Sequence, residues 1–187
     1  MSWTEKEGKM ELKIMNVKIE CVKGDITEQK DIDCIVNAAN AYLAPGGGVA
    51  GAIHRKAGPQ LYEECKKYAP IKTGQAVITK GYNLPNPYVV HTLGPVYSQE
   101  KNPAEKLALC FKNSLKVADE KGIKSIAFPA ISTGAFGYPV EEAAEVSVKA
   151  VIDEAKNLKS IKLIRFVLYD DKSFETFKSA LEKFSKK

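Results

Sequence analysis

Residues 34–57 read Cys34-Ile35-Val36-Asn37-Ala38-Ala39-Asn40-Ala41-Tyr42-Leu43-Ala44-Pro45-Gly46-Gly47-Gly48-Val49-Ala50-Gly51-Ala52-Ile53-His54-Arg55-Lys56-Ala57: a strand, a loop and a helix in one stretch. The apolar run Cys34 to Val36 has the character of a buried strand. Asn37 and Asn40 follow it, so their amides are expected where a sheet hands over to its loops. Gly46, Gly47 and Gly48 bring bare backbone N–H groups toward a ligand, since no Cβ blocks approach and positive φ carries no steric cost. Val49 to Ala57 then reads as a helix. A glycine turn leading into a helix N-terminus is an anion site, because the unpaired donors and the positive end of the dipole point the same way. A plain flexible turn is the competing reading. Three successive glycines cost backbone entropy, which favours ligand contact.

Two phosphate motifs compete for this loop. Gly46, Gly48 and Gly51 satisfy G-x-G-x-x-G, but a dinucleotide fingerprint follows its strand directly, whereas here the glycines begin well beyond Val36. The P-loop fails because no Lys followed by Ser or Thr closes the run.

With 187 residues, the chain supports one full core, and one domain is expected. Hydrophobic residues at 44% and charged residues at 27% are ordinary globular values, and no apolar run is long enough to cross a membrane. Residues 1–9, rich in Lys and Glu, lack the apolar centre of a signal peptide and read as a frayed polar leader ahead of a domain over 10–187. The expected location is the cytoplasm. Cys21, Cys34, Cys65 and Cys110 are scattered through apolar patterns without a C-x-x-C pair, and read as reduced core residues rather than a disulfide framework or zinc site. The net charge of +5 lies in dispersed lysines and in the tail Lys183, Lys186 and Lys187, without an obvious stripe interleaved with aromatics. This balance is compatible with nucleic acid or an anionic metabolite, and charge alone does not decide between them; nucleic acid is the less expected partner.

Short runs rich in β-branched residues place strands at Lys18 to Lys23, Cys34 to Val36, Ala76 to Thr79, Tyr88 to Thr92, Ser125 to Phe128 and Leu163 to Tyr169. Leu107, Cys110, Phe111, Ser114, Leu115 and Ala118 hold one helical face, and Val140, Ala143, Ala144, Ser147, Val151 and Ala155 another. Phe174, Phe177, Leu181 and Phe184 repeat the pattern near the C-terminus, an aromatic stripe that reads as core. The alternation predicts a three-layer α/β/α fold with a central mixed, mostly parallel sheet. Ligands of such sheets collect at the carboxyl ends of the strands. Gly24-Asp25-Ile26-Thr27, the Asn and Gly loop, the run Pro129 to Pro139, and Tyr169-Asp170 all fall there. Ser132 to Gly137 is a second small-residue loop entering a helix. With the glycine loop it could clamp a pyrophosphate; ordinary capping and turn chemistry is the alternative.

In their order, Gly24-Asp25-Ile26-Thr27, Ile35-Val36-Asn37-Ala38-Ala39-Asn40, Gly46-Gly47-Gly48-Val49 and Phe128-Pro129-Ala130-Ile131-Ser132-Thr133-Gly134 closely resemble the macrodomain (Appr-1″-p processing) family. The resemblance covers nearly the whole chain after the leader, and Gly51-Ala52-Ile53-His54-Arg55 with Gly81-Tyr82-Asn83-Leu84-Pro85 looks like its MacroD-type branch. It implies an ADP-ribose pocket. Asp25 would accept from the adenine amino group, with the Ile26 N–H on the ring; a bond to a charged acceptor is worth roughly 1.5–3 kcal/mol. Tyr169 would lie against the adenine face or serve as a strand-end packing residue. Gly47, Gly48 and Val49, facing Ser132, Thr133, Gly134, Ala135 and Phe136, would hold the two phosphates. Asn40 would bind the distal ribose, and Asn40 with the Gly134 loop would fix it for catalysis. No cofactor is implied, and His54 and His91 read as structural rather than as metal ligands.

One position departs from the family's pattern. MacroD-type hydrolases commonly carry Asp after Gly-Gly-Gly-Val, a carboxylate suited to placing the attacking water; this chain has Ala50. The resemblance thus implies two classes of function. One is a hydrolase that removes mono-ADP-ribose from acidic side chains of modified proteins or deacetylates O-acetyl-ADP-ribose. The other is a reader that only binds ADP-ribose. Binding of poly-ADP-ribose or RNA ends would need a basic track beyond the pocket.

Overall fold

The computed structural model describes residues 2–6 and 9–186. Its strands are β1 (Ser2–Lys6), β2 (Lys9–Ile14), β3 (Val17–Lys23), β4 (Cys34–Ala38), β5 (Ala76–Lys80), β6 (Tyr88–Thr92), β7 (Ser125–Phe128) and β8 (Leu163–Leu168). The helices are α1 (Gly48–Ala57), α2 (Pro59–Cys65), α3 (Pro103–Glu120), α4 (Val140–Ala155) and α5 (Asp171–Ser185), with one 3-10 turn over Ile26–Glu28. The strands form one sheet in the order β1-β2-β3-β8-β7-β4-β6-β5. The pairings from β3 through β6 are parallel, and those joining β1, β2 and β5 are antiparallel. The expected mixed, mostly parallel sheet is what the chain builds.

Side chains alternate across this sheet, as a pleated strand requires. Cys34, Val36, Ile126, Phe128, Ile164, Phe166 and Leu168 face a core completed by α3, α4 and α5. Ile35, Ala127 and Val167 face a smaller core completed by α1 and α2. In the larger core Phe111 and Phe128 sit with centroids 4.8 Å apart, and Phe166 meets Phe177 of α5 at 5.4 Å. The C-terminal aromatic stripe is therefore core.

Three local readings change. Ser2–Lys6, expected in a frayed leader, is an edge strand paired with β2. β2 itself was not expected, although Met10 and Leu12 alternate with polar residues and are fully buried. Asn37 does not emerge at the rim: β4 continues past Val36 to Ala38, which sends its side chain beneath α1, fully buried. Among the described residues, no helix is long and apolar enough to cross a membrane. All four cysteines are buried and unpaired, and burial raises each thiol, Cys110 to about 11 and Cys65 to about 12.

Candidate functional site

A cavity of about 360 Å³ opens at the carboxyl ends of β4, β6 and β7. Ala38, Ala39 and Asn40 form its floor and Gly46 to Ala50 one wall; Gly94 and the run 130–136, except Thr133, form the rest. Most residues of the two predicted phosphate loops thus face one space. Parallel strands end there because their crossover helices return on the faces of the sheet and leave the loop end open.

The glycine wall is built for close approach. Gly48 has φ +56°, a conformation that favours a residue without Cβ. Gly47 is the N-cap of α1 and contributes no side-chain cap, and the first turn holds no acidic residue. The N–H groups at this helix start therefore lack both intrahelical acceptors and a carboxylate partner. Across the cavity, the N–H groups of Gly134, Ala135 and Phe136 have no acceptor among the described residues. The loop carrying them is pinned by Tyr138 N donating to Ser132 O at 2.9 Å and Tyr97 N donating to Phe136 O at 2.9 Å. Ser132 sits at φ +69° with its buried Oγ unpartnered among the described residues, a strained backbone of the kind that collects at functional sites. Thr133 stands outside the lining and turns its hydroxyl to Ala130 O at 2.8 Å.

Asn40 is half-buried in the cavity, and its amide is already engaged. Its Nδ2 donates to Ala44 O at 2.8 Å and its Oδ1 accepts from Ala44 N at 3.0 Å. This clasp shapes the loop leading to Pro45 and leaves one N–H and one lone pair for a ligand. Ala50 occupies the third position of α1, 6% exposed and part of the cavity wall.

Asp25, Ile26 and Tyr169 lie outside this cavity, at the adjoining ends of β3 and β8. Gly24 N donates to Leu168 O at 2.9 Å and joins those two ends. Asp25 caps the 3-10 turn: its Oδ1 accepts from Thr27 N at 2.8 Å and from Thr27 Oγ1 at 2.7 Å. Those bonds, led by the backbone one, hold the carboxyl below its usual range, so it is ionised at neutral pH. Oδ2 has no partner among the described residues. Tyr169 follows the last residue of β8 and is 81% exposed, so it packs against nothing at the strand end.

A network that sequence reasoning missed fixes the Asp25 turn. Arg165 of β8 grips Asp31 through two bonds of 2.8 and 2.7 Å, and its Nε donates to Glu20 at 2.7 Å. Its Nη1 also donates to Gln29 Oε1 at 2.9 Å, while Gln29 Nε2 donates to Asp25 O at 2.8 Å. The signal was a lone arginine in an otherwise apolar strand, since a buried guanidinium requires anionic partners. Gly94 was also passed over. A Cβ there would run into Ser132 Oγ and stand 2.7 Å from Ile131 Cγ2, so the bare α-carbon is what lets the loop close down.

His54 of α1 and His91 of β6 lie buried between that helix and the sheet, with ring centroids 6.4 Å apart. His91 Nδ1 is 3.0 Å from Asn37 Nδ2 and its Nε2 is 2.9 Å from Thr79 Oγ1. With Nδ1 accepting from the amide, Nε2 carries the proton and donates to the hydroxyl, so the ring is neutral. Burial, helped by His54, pushes the His91 pKa down to about 3.

The model of the family described as Macro domain matches residues 36–147, which hold the glycine wall and the facing loop. This chain belongs to the macrodomain family. The macrodomain is 47% identical to a macro domain-containing protein of Chlorobaculum tepidum, over 89% of this chain and 96% of that one. It is 43% identical to the ADP-ribose glycohydrolase MACROD2 of Xenopus laevis, over 97% of this chain but 44% of that longer protein. Among solved structures, the Oceanobacillus iheyensis macrodomain with ADP superposes with a TM-score of 0.91 at 35% identity, covering 95% of this chain and 97% of that one.

Proposed function

We propose that this macrodomain binds ADP-ribose along the rim from β3 to β6, and that it hydrolyses mono-ADP-ribose from acidic side chains of modified proteins or acetate from O-acetyl-ADP-ribose. The observation that carries the reading is the pair of facing backbone walls, Gly47 to Ala50 and Gly134 to Phe136, whose free N–H groups suit a pyrophosphate. The rim has the right length. β3, β8, β7, β4 and β6 are consecutive neighbours, and at about 4.8 Å per step they span roughly 19 Å. The base would lie at the β3/β8 end, between the ionised Asp25 with Ile26 and the uncovered ring of Tyr169. The phosphates would lie over β7 and β4, and the distal ribose beside Asn40. The O. iheyensis macrodomain holds ADP, and the MACROD2 relative is named for ADP-ribose hydrolysis.

Chemistry at the distal ribose must do without a protein carboxylate at position 50. Asn40 would fix the sugar with its free N–H and lone pair, and the Gly134 loop would hold the adjoining phosphate. A phosphate oxygen of the substrate would then orient water onto the anomeric carbon as the bond to the acceptor carboxylate breaks; that carboxylate leaves as the anion and the phosphate oxygen takes the water's proton. Ala50 also supports a second reading, a reader that binds ADP-ribose without turnover. We place either activity in the cytoplasm, on free ADP-ribosyl metabolites and modified proteins.

One preparation separates the readings. Calorimetry measures ADP-ribose binding while release of ADP-ribose from a glutamate-modified protein is followed in parallel. Binding with release supports the hydrolase, binding alone the reader, and neither overturns the site.

A further inference from the structure

The segment between α2 and β5 forms a wall with two sides. Ile71 N donates to Ala41 O at 2.8 Å, and Gly74 N donates to Leu93 O at 2.8 Å. Ala41 follows Asn40 and Leu93 precedes Gly94, and both Asn40 and Gly94 line the candidate site. On the other side of this segment lies a groove of about 390 Å³ against the edge strand β5, with Tyr68, Pro70, Ile71, Gln75, Asn113 and Lys116 in its lining. The pocket's distal end and this groove therefore share one partition, anchored by backbone bonds at two points. Tyr42, 68% exposed, stands next to Ala41 at the junction, and Tyr68 in the groove is 43% exposed.

The groove's surroundings are basic. Lys66, Lys67, Lys72 and Lys116 are all exposed. Lys66 pairs with Glu63 at 2.8 Å. Among the described residues, Lys67, Lys72 and Lys116 have no carboxylate within salt-bridge distance, and Glu120 is the one acidic group in the lining. Exposed cations outside ion pairs, three against the single carboxylate of the lining, suit an anionic chain at this aromatic-edged groove.

We propose that this groove takes the acidic stretch of polypeptide that flanks an ADP-ribosylated Asp or Glu side chain. The inference rests on the proposed action on modified proteins. With the ribose beside Asn40, an acceptor chain leaving past Ala41 and Tyr42 reaches the groove, since three to six extended residues cover about 10–20 Å. Carboxylates at those positions meet Lys67, Lys72 and Lys116. The pocket reads the nucleotide, and the groove reads the charge of the protein carrying it.

The test uses the full chain and three peptides that share one ADP-ribosylated glutamate and differ in having acidic, neutral or lysine-rich flanks. Anisotropy should show the acidic peptide binding about tenfold more tightly than the neutral one, the size expected of a few exposed ion pairs, with the gap closing at high salt. Lys67→Glu, Lys72→Glu and Lys116→Glu together should invert the ranking, and the three Lys→Gln changes should flatten it, with affinity for free ADP-ribose unchanged in both. Tight binding of free ADP-ribose with no ranking among the peptides overturns the groove proposal alone. No binding of free ADP-ribose overturns the parent reading and this proposal with it. If the Glu variant loses only single-stranded RNA binding and keeps the peptide ranking, the surface serves nucleic acid and the proposal is overturned.

Discussion

Replacing Gly51 by alanine should damage ligand binding while leaving the fold intact. Gly51 lies in α1 behind the glycine wall, and a Cβ there would stand 3.2 Å from the Gly46 carbonyl carbon, 3.0 Å from Arg55 Nη1, and far inside contact distance of Gly46 O. The Gly46 peptide is backbone and cannot rotate away as a side chain would. Restoring ordinary contact requires the loop to move by about 1 Å. A shift of that size takes the neighbouring N–H groups out of hydrogen-bond range of a phosphate. Losing one charge-assisted bond costs about 1.5–3 kcal/mol, so ADP-ribose affinity should fall by about tenfold to a hundredfold. Stability should move little or the other way, because alanine favours a helix interior over glycine by up to about 1 kcal/mol and Gly46 is an exposed loop residue that yields without opening the core. Calorimetry with ADP-ribose and thermal unfolding give the two numbers. Wild-type affinity in Gly51→Ala, with an unchanged melting temperature, would refute the idea that this loop's position sets the phosphate contacts.

Asp25→Ala should weaken ADP-ribose by more than about tenfold, since it removes a charged acceptor; unchanged affinity in calorimetry would reject the adenine assignment. Tyr169→Ala should leave thermal stability untouched, because the ring is 81% exposed, yet weaken ADP-ribose by about 1–3 kcal/mol if the ring stacks on the base; a lowered melting temperature with unchanged affinity would give Tyr169 a packing role instead. Ala50→Asp should raise the release rate on modified protein and lower affinity for free ADP-ribose, while a fall in both shows that the carboxylate repels the ligand rather than serving the water. On acidification, His91 should destabilise the fold between its unfolded pKa near 6.5 and its folded value of about 3. In that window the unfolded chain binds the extra proton, so stability is full above the unfolded pKa and drops by about 2 kcal/mol by pH 5. Burial depresses His54 as well, which acts in the same direction. Urea unfolding of wild type and His91→Gln at pH 7 and pH 5 checks this, and equal pH slopes for the two proteins would sink it.

Much of the fold was legible because buried strands and helix faces carry their period in the sequence itself. Cys34 to Val36 and Ser125 to Phe128 announce a covered sheet, and the spacing of Leu107, Cys110, Phe111 and Ala118 announces α3. Ser2–Lys6 was not legible: with Trp3 as its one apolar residue it shows no alternation, and only its pairing with β2 makes it a strand. The glycine wall could be read because glycine states its own backbone freedom. Asn37 misled because a polar residue after an apolar run looks like a loop, and its acceptor His91 lies 54 residues away. Arg165 stands out as the one charge in an apolar strand, but nothing in either segment names its partner Asp31, 134 residues away.

That arginine has a consequence for how a ligand arrives. Gln29 is held by Arg165 at one end of its amide and holds the Asp25 carbonyl with the other, so the turn proposed to select the base is moored to β8 rather than left to its own short loop. The disorder such a turn would otherwise lose on meeting its ligand is lost when the chain folds. Capture at the base end should then resemble docking into a rigid mould. The heat-capacity change of binding would reflect only the surface that ligand and pocket hide from water, with no contribution from ordering the protein.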